Sequence, residues 1–188
     1  MHNRGVSSAF PFATGKQLGY RPDQVDAFLE RARASYEQQG SPAEPVTAAE
    51  IRSTAFAVKR RGYASRFVDA AMDRLEEIFY ERERRARVAE IGDDAWWAET
   101  QQLLSEVRGR LQRARGKRFR RRGIFATGYR CSQVDAFLDR ITAMLMGQES
   151  LTTAEVRGAV FHSQWRGYDE DQVDALLDAV IDLMLAVR

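Results

Sequence analysis

At 188 residues with 44% apolar residues, the chain can bury one respectable core or two small ones, which excludes wholesale disorder. No run approaches the roughly 18 apolar residues of a membrane span, the start from Met1 to Ser8 is too polar for a secretory signal, and the lone Cys131 can form neither an internal disulfide nor, by itself, a zinc site, so a soluble or peripheral protein of a reducing cytoplasm is expected. The net charge of +2 hides a segregation: Arg108 to Arg122 holds nine Arg or Lys and no acid, leaving −7 on the rest, and such a run is either a solvated face or the footprint of an anionic membrane or nucleic acid.

In chain order, Gly19-Tyr20 precedes an amphipathic helix with Pro22 at its first position and Val25, Phe28, Leu29 and Ala32 on one face. A loop from Gln38 to Pro45 then leads to a short helix. Thr47 and Glu50 there have capping-box spacing, and Val46 with Ile51 fits the hydrophobic staple. The stretch from Thr54 to Arg61 reads as a strand or hairpin arm. After Gly62-Tyr63 a second helix carries Val68, Ala71, Met72, Leu75, Ile78 and Phe79.

Gly92-Asp93-Asp94 breaks the pattern. A further helix, about Ala95 to Arg115, shows Trp97, Leu104 and Leu111 at heptad spacing with Val107 between; it either docks on a core or forms a coiled coil. Gly116 and the arginines after it read as a flexible connection. Gly128-Tyr129 opens a helix with Val134, Phe137, Leu138, Ile141 and Leu145. A short helix capped by Thr152 and Glu155, with a Leu151–Val156 staple, and an extended arm from Ala159 to Arg166 follow. The last helix follows Gly167-Tyr168, has Asp169 and Gln172 at capping-box spacing, and carries Val173, Leu176, Leu177, Val180, Met184 and Val187.

One unit therefore recurs four times: Gly-Tyr, with Val-Asp starting six residues after the glycine, at Gly19-Tyr20, Gly62-Tyr63, Gly128-Tyr129 and Gly167-Tyr168. Even copies have the short helix and a Phe six residues before the glycine (Phe56, Phe161). Odd copies have a Phe nine before it (Phe10, Phe119). An odd–even block duplicated once explains this, with boundaries at 1–92, a linker helix and basic start at 93–118, and 119–188. Glycine supplies positive φ or close approach and tyrosine covers the helix base, so these eight residues read as fold determinants. Asp26, Asp69, Asp135 and Asp174 sit near helix starts, where the macrodipole favours acids. One acid per helix without a second ligand at fixed spacing does not read as a metal site.

The fourth copy, Leu151-Thr152-Thr153-Ala154-Glu155-Val156-Arg157, Phe161 and Trp165-Arg166-Gly167-Tyr168-Asp169-Glu170-Asp171-Gln172-Val173-Asp174-Ala175-Leu176-Leu177-Asp178, resembles the N-terminal domain of DivIVA, the bacterial pole and septum scaffold. The second copy is similar apart from its acidic helix start, and the odd copies through Gly-Tyr and Gln-Val-Asp-Ala-Phe-Leu. The resemblance implies parallel dimerisation with crossed extended loops, and an aromatic–basic pair before Gly-Tyr that enters the bilayer. That pair falls on Trp165-Arg166; the second copy has Arg60-Arg61 there, the first Gln17-Leu18 and the third Ala126-Thr127. Trp165 is read equally as an aromatic packed under the hairpin. The fold expected is mainly α: tandem DivIVA-like modules of paired parallel helices with short extended elements before each Gly-Tyr. Each odd–even pair supplies both halves of the family dimer, so Phe28 and Leu29 should meet Met72 or Leu75, and Leu138 should meet Leu177.

Catalysis has little support, because His2 and His162 sit in unlike contexts and no phosphate loop, paired-histidine motif or cysteine near a histidine occurs. No cofactor is expected. The favoured reading is a noncatalytic membrane- or scaffold-associated protein of bacterial cell division or polar growth, at the inner face of the membrane at pole or septum. Its lipid-contact set would be Trp165, Arg166, Arg60, Arg61, Arg118, Arg120, Arg121 and Arg122, with other division or envelope proteins, or further copies of itself, as partners. The alternatives are a nucleic-acid-associated protein using 108–122, less favoured because only Phe119 interleaves the basic run, and a protein-only adaptor.

Overall fold

The computed structural model describes residues 8–37 and 45–187, so the polar start and the loop 38–44 lie outside the described residues. The protein is mainly helical, with short strands. Its chain divides into two units, Met1–Ala86 and Arg87–Arg188. The first contains β1 (Leu18–Tyr20), α1 (Pro22–Glu37), α2 (Ala48–Ser53), β2 (Val58–Arg60) and most of α3 (Ser65–Ile91). The second contains the end of α3, α4 (Asp93–Leu111), β3 (Thr127–Tyr129), α5 (Cys131–Leu145), α6 (Thr153–Arg157), β4 (Ser163–Trp165) and α7 (Glu170–Ala186). The segment 93–118, read from sequence as a linker, thus belongs to the second unit.

In the first unit β1 pairs antiparallel with β2, Gly19 opposite Lys59. Tyr20 also bridges Tyr63: the Tyr20 amide donates to the Tyr63 carbonyl at 2.9 Å and the Tyr63 amide to the Tyr20 carbonyl at 2.8 Å. A reciprocal pair of this kind places a local two-fold axis between the odd and even copies. The two Gly-Tyr backbones pass so closely that a Cβ on Gly19 would strike the carbonyls of Tyr63 and Gly62, and one on Gly62 those of Gly19 and Tyr20. Neither glycine has a positive φ. Close approach, not left-handed backbone, is why glycine recurs there.

From the crossing α1 and α3 run in the same direction. Tyr63, just before α3, donates to Asp26 near the start of α1, while Arg82 late in α3 donates to the Ser35 carbonyl near the end of α1 at 2.9 Å. Val25, Phe28, Val68, Met72 and Phe79 share one core with Val46, Ala48 and Ile51, and Leu29 and Leu75 pack against it. Thr47 caps α2 by accepting from the Glu50 amide, and Val46 and Ile51 are buried together as the staple spacing requires. Pro22 is the first residue of α1. Inside this unit the buried Glu76 accepts a 2.7 Å ion-paired hydrogen bond from Arg52, a pair with no signature in the hydrophobic pattern.

The second unit repeats the plan. β3 and β4 are antiparallel with Gly128 opposite Gln164, and the amides and carbonyls of Tyr129 and Tyr168 exchange bonds of 3.0 and 2.8 Å. The full capping box forms at Thr152 and Glu155. Asp169 and Gln172 do not close one at α7. The Asp169 carboxylate turns to Arg120, and Gln172 Oε1 accepts from the Arg120 amide. α4 packs on α7 and α5, burying Trp96, Val107 and Leu111 while Trp97 is exposed. The buried spacing is that of one face of an ordinary docked helix, not the heptad of Trp97, Leu104 and Leu111.

Residues 112–122 are not a loose connection either. The Gly116 amide donates to Asp135 Oδ2 at 2.7 Å, and the Arg118 guanidinium is buried, donating to Asp139 Oδ1 at 2.6 Å and to the Asp135 carbonyl at 2.8 Å. Arg115 also pairs with Asp139.

Candidate functional site

The four repeated acids do more than complement helix dipoles. Each accepts from the tyrosine of the opposite copy: Tyr63 to Asp26 at 3.1 Å, Tyr168 to Asp135 at 3.0 Å, Tyr129 to Asp174 at 3.4 Å, and Tyr20 to Asp69. The aromatic neighbours cross over as well. Phe10 and Phe119 of the odd copies stand edge-on to Tyr63 and Tyr168 at 5.4 and 5.3 Å. Phe56 and Phe161 of the even copies lie at 5.7 and 5.3 Å from Tyr20 and Tyr129. The different Phe offsets in odd and even copies therefore feed two symmetry-related aromatic contacts.

Burial and the facing carboxylate raise all four phenol pKa values, that of Tyr168 to about 12, with burial the larger cause in every case. Burial likewise raises the Asp174 carboxyl. The hydrogen bonds that these tyrosines donate to the acids of the opposite copy hold the two copies together.

Beyond the strands each unit ends in two adjacent turns. In the second unit, Gly123 to Ala126 closes by a 3.1 Å bond from the Ala126 amide to the Gly123 carbonyl, with Ile124 and Phe125 at its apex. Gln164 to Gly167 closes at 2.9 Å with Trp165 and Arg166 at its apex, and the Arg166 amide donates to the Ala126 carbonyl at 3.1 Å, tying the two turns side by side. Phe125 is 85% exposed, Trp165 59% and Ile124 58%. Trp165 is thus not packed under the hairpin. The equivalent apices of the first unit hold Gly15 and Lys16 in a turn from Thr14 to Gln17, and Arg60, the last residue of β2, with Arg61 after it. Arg61 and Arg166 adopt left-handed φ of 54° and 53°, a strained choice for a residue with a side chain.

The basic segment divides on inspection. Arg118 is inside. Arg120 pairs with the buried Asp169 at 2.8 Å, Arg122 approaches the same carboxylate at 3.8 Å, and this pairing, led by the Arg120 hydrogen bond, holds the Asp169 carboxyl below its usual range. Arg121, Arg60, Arg61 and Arg166 are exposed and form no ion pair with described residues. Sequence reading missed Ile124 and Phe125, although two large apolar residues between a basic run and Gly128 were a legible signal.

His162 is exposed, its amide donating to Gln133 Oε1 at 2.8 Å. Among the described residues no group of three or more His, Cys, Asp or Glu is placed to hold a metal ion, and no helix is long and apolar enough to cross a membrane. Comparison with protein-family models, curated proteins and solved structures finds no match to this chain.

Proposed function

We propose that this chain is a noncatalytic protein that associates with an anionic membrane surface through the tip of its second unit, as a DivIVA-like component of bacterial division or polar growth at the inner face of the membrane. The observation that carries this reading is the side-by-side pair of turns presenting Ile124, Phe125, Trp165 and Arg166. Large apolar groups at adjacent apices, with a guanidinium beside them, suit the headgroup boundary. A strained φ at Arg166, where glycine would cost nothing, is consistent with a side chain retained for contact. The crossed Gly-Tyr elements and co-directional α1 and α3 agree with the pairing that the resemblance implies, each unit supplying both halves from one polypeptide.

Removing the exposed parts of Trp165, Phe125 and Ile124 from water contributes about 4 kcal/mol together, and Arg166 adds about 1 kcal/mol at an anionic leaflet. A total of about 5 kcal/mol corresponds to a few hundred micromolar, which is useful when several copies act together. The basic segment weighs against nucleic acid as the main partner, because Arg115, Arg118, Arg120 and Arg122 are already matched to Asp139 and Asp169.

Sedimentation with phosphatidylglycerol vesicles beside a salt-titrated DNA-binding assay tests the reading. The expected result is vesicle binding that falls at least tenfold in a Phe125→Ala, Trp165→Ala double variant. Equal binding by that variant, or DNA binding without vesicle binding, contradicts it.

A further inference from the structure

The two units differ most at one equivalent place, between the segment before β1 or β3 and the start of the even helix. Counting from the glycines, Pro11, Phe12 and Ala13 of the first unit correspond to Arg120, Arg121 and Arg122 of the second, and Ala64 and Arg66 correspond to Asp169 and Asp171. The backbones are held alike: the Ala64 amide donates to the Pro11 carbonyl at 2.8 Å and the Asp169 amide to the Arg120 carbonyl at 2.9 Å. In the second unit the place is occupied by the chain's own arginine–aspartate pairs. In the first unit it is a groove of about 700 Å³ lined by Pro11, Phe12, Leu18, Ala64, Arg66 and Phe67. Phe12, Leu18 and Phe67 are exposed there, and the Arg66 guanidinium lies 4.5 Å over the Phe67 ring.

The one charged side chain in this groove's lining is the cation Arg66. Lys16 and Arg61 stand at the two neighbouring turns, Arg60 is the cross-strand partner of Leu18, and none of these or Arg66 forms an ion pair with a described residue. Nearby acids are engaged: Asp23 by Arg21, Asp26 by Tyr63 and Asp69 by Tyr20. The first turn of α3 carries no acid, whereas α7 begins with Glu170 and Asp171. Apolar walls, the Arg66 cation and the positive end of a 27-residue helix thus border the groove, with Lys16, Arg60 and Arg61 on the neighbouring strand and turns.

We infer that this groove is a docking site for a short acidic protein segment bearing one bulky apolar side chain. The apolar group fills the space between Phe12, Leu18 and Phe67. Its flanking carboxylates meet Arg66 and the cations of the two turns, supplying from outside the negative charge that Asp169 and Asp171 supply within the second unit. This surface is independent of the lipid-contact tip proposed above.

The test is selection of a random heptapeptide display library against the immobilised full chain, followed by anisotropy titration of the enriched peptides. The expected outcome is enrichment of peptides with two or more acids around a Phe, Leu or Trp, with affinity falling at least tenfold in Arg66→Glu. The Ala13→Arg, Ala64→Asp variant, which installs the second unit's pair, should lose binding as well, with circular dichroism confirming its fold. Absence of enrichment, enrichment without acids, or affinity unchanged by Arg66→Glu overturns the inference. So does loss of phosphatidylglycerol vesicle binding in Arg66→Glu with displacement of the peptides by vesicles, which would make the face a lipid surface.

Discussion

Replacing Gly167 by alanine probes the crossing directly. A Cβ there would stand 2.5 Å from the carbonyl oxygens of Gly128 and Tyr129 and 2.6 Å from the Gly128 carbonyl carbon, where ordinary contacts begin at 3.4 Å. All three obstacles are backbone, so the strands must part by close to an ångström. The reciprocal Tyr129–Tyr168 bonds, now 3.0 and 2.8 Å, would then pass out of hydrogen-bonding range. Two buried pairs left unmade cost about 1–3 kcal/mol each, so a loss of about 2–6 kcal/mol is expected against a total stability of about 5–15 kcal/mol. Trp96, Trp97 and Trp165 all lie in the second unit, which makes tryptophan emission in a urea titration a selective readout. With a slope of about 1–3 kcal/mol/M the midpoint should fall by about 1 M or more. Gly109→Ala is the control: it sits in α4 with nothing within 4 Å of its Cβ, and should gain about 0.5–1 kcal/mol. A Gly167→Ala midpoint equal to wild type would refute the close-approach reasoning.

Alkali should weaken the second unit in a defined window. Tyr168 binds its proton more tightly folded than unfolded, so its contribution is complete below pH 10 and is lost as pH rises through about 12, a change of about 2–3 kcal/mol. Urea midpoints at pH 9 and 11.5 capture about 2 kcal/mol of it, and Tyr168→Phe should reduce the drop. In the first unit, Arg52→Met removes an ion-paired donor from the buried Glu76 and should cost about 3–5 kcal/mol, largely recovered in Arg52→Met, Glu76→Leu. Far-UV circular dichroism should show that loss. Arg166→Gly should relieve the left-handed backbone and stabilise by about 1 kcal/mol while weakening vesicle binding; a gain in both would count against a lipid role for Arg166.

Helices were legible because their signals are local. Val25, Phe28 and Ala32 or Val134, Leu138 and Ile141 recur at helical spacing and are buried at those positions, and the cap at Thr152 depends on four consecutive residues. The repeat itself disclosed that copies of one unit were present. It could not say that Gly19 and Gly62 exist to pass through one another, because that reason lies in a backbone 43 residues away in sequence. The acids illustrate the same gap: Asp135 sits where a dipole argument suffices, yet it anchors Tyr168 and Gly116. Charge misled for a related reason. A run of nine basic residues looks uniformly solvated until Asp139 and Asp169, from other elements, draw Arg118 inward and engage Arg120. At the tip, the exposure of Ile124 and Phe125 beside Trp165 depends on a turn hydrogen-bonded to a neighbour 40 residues later.

Depth-resolved quenching of Trp165 most directly tests the membrane account, in a Trp96→Phe, Trp97→Phe background with phosphatidylglycerol vesicles carrying brominated acyl chains. Trp165 emission should shift blue and be quenched most by bromines near the headgroups. Emission that stays at its aqueous wavelength and is unquenched at every anionic lipid content would contradict the account.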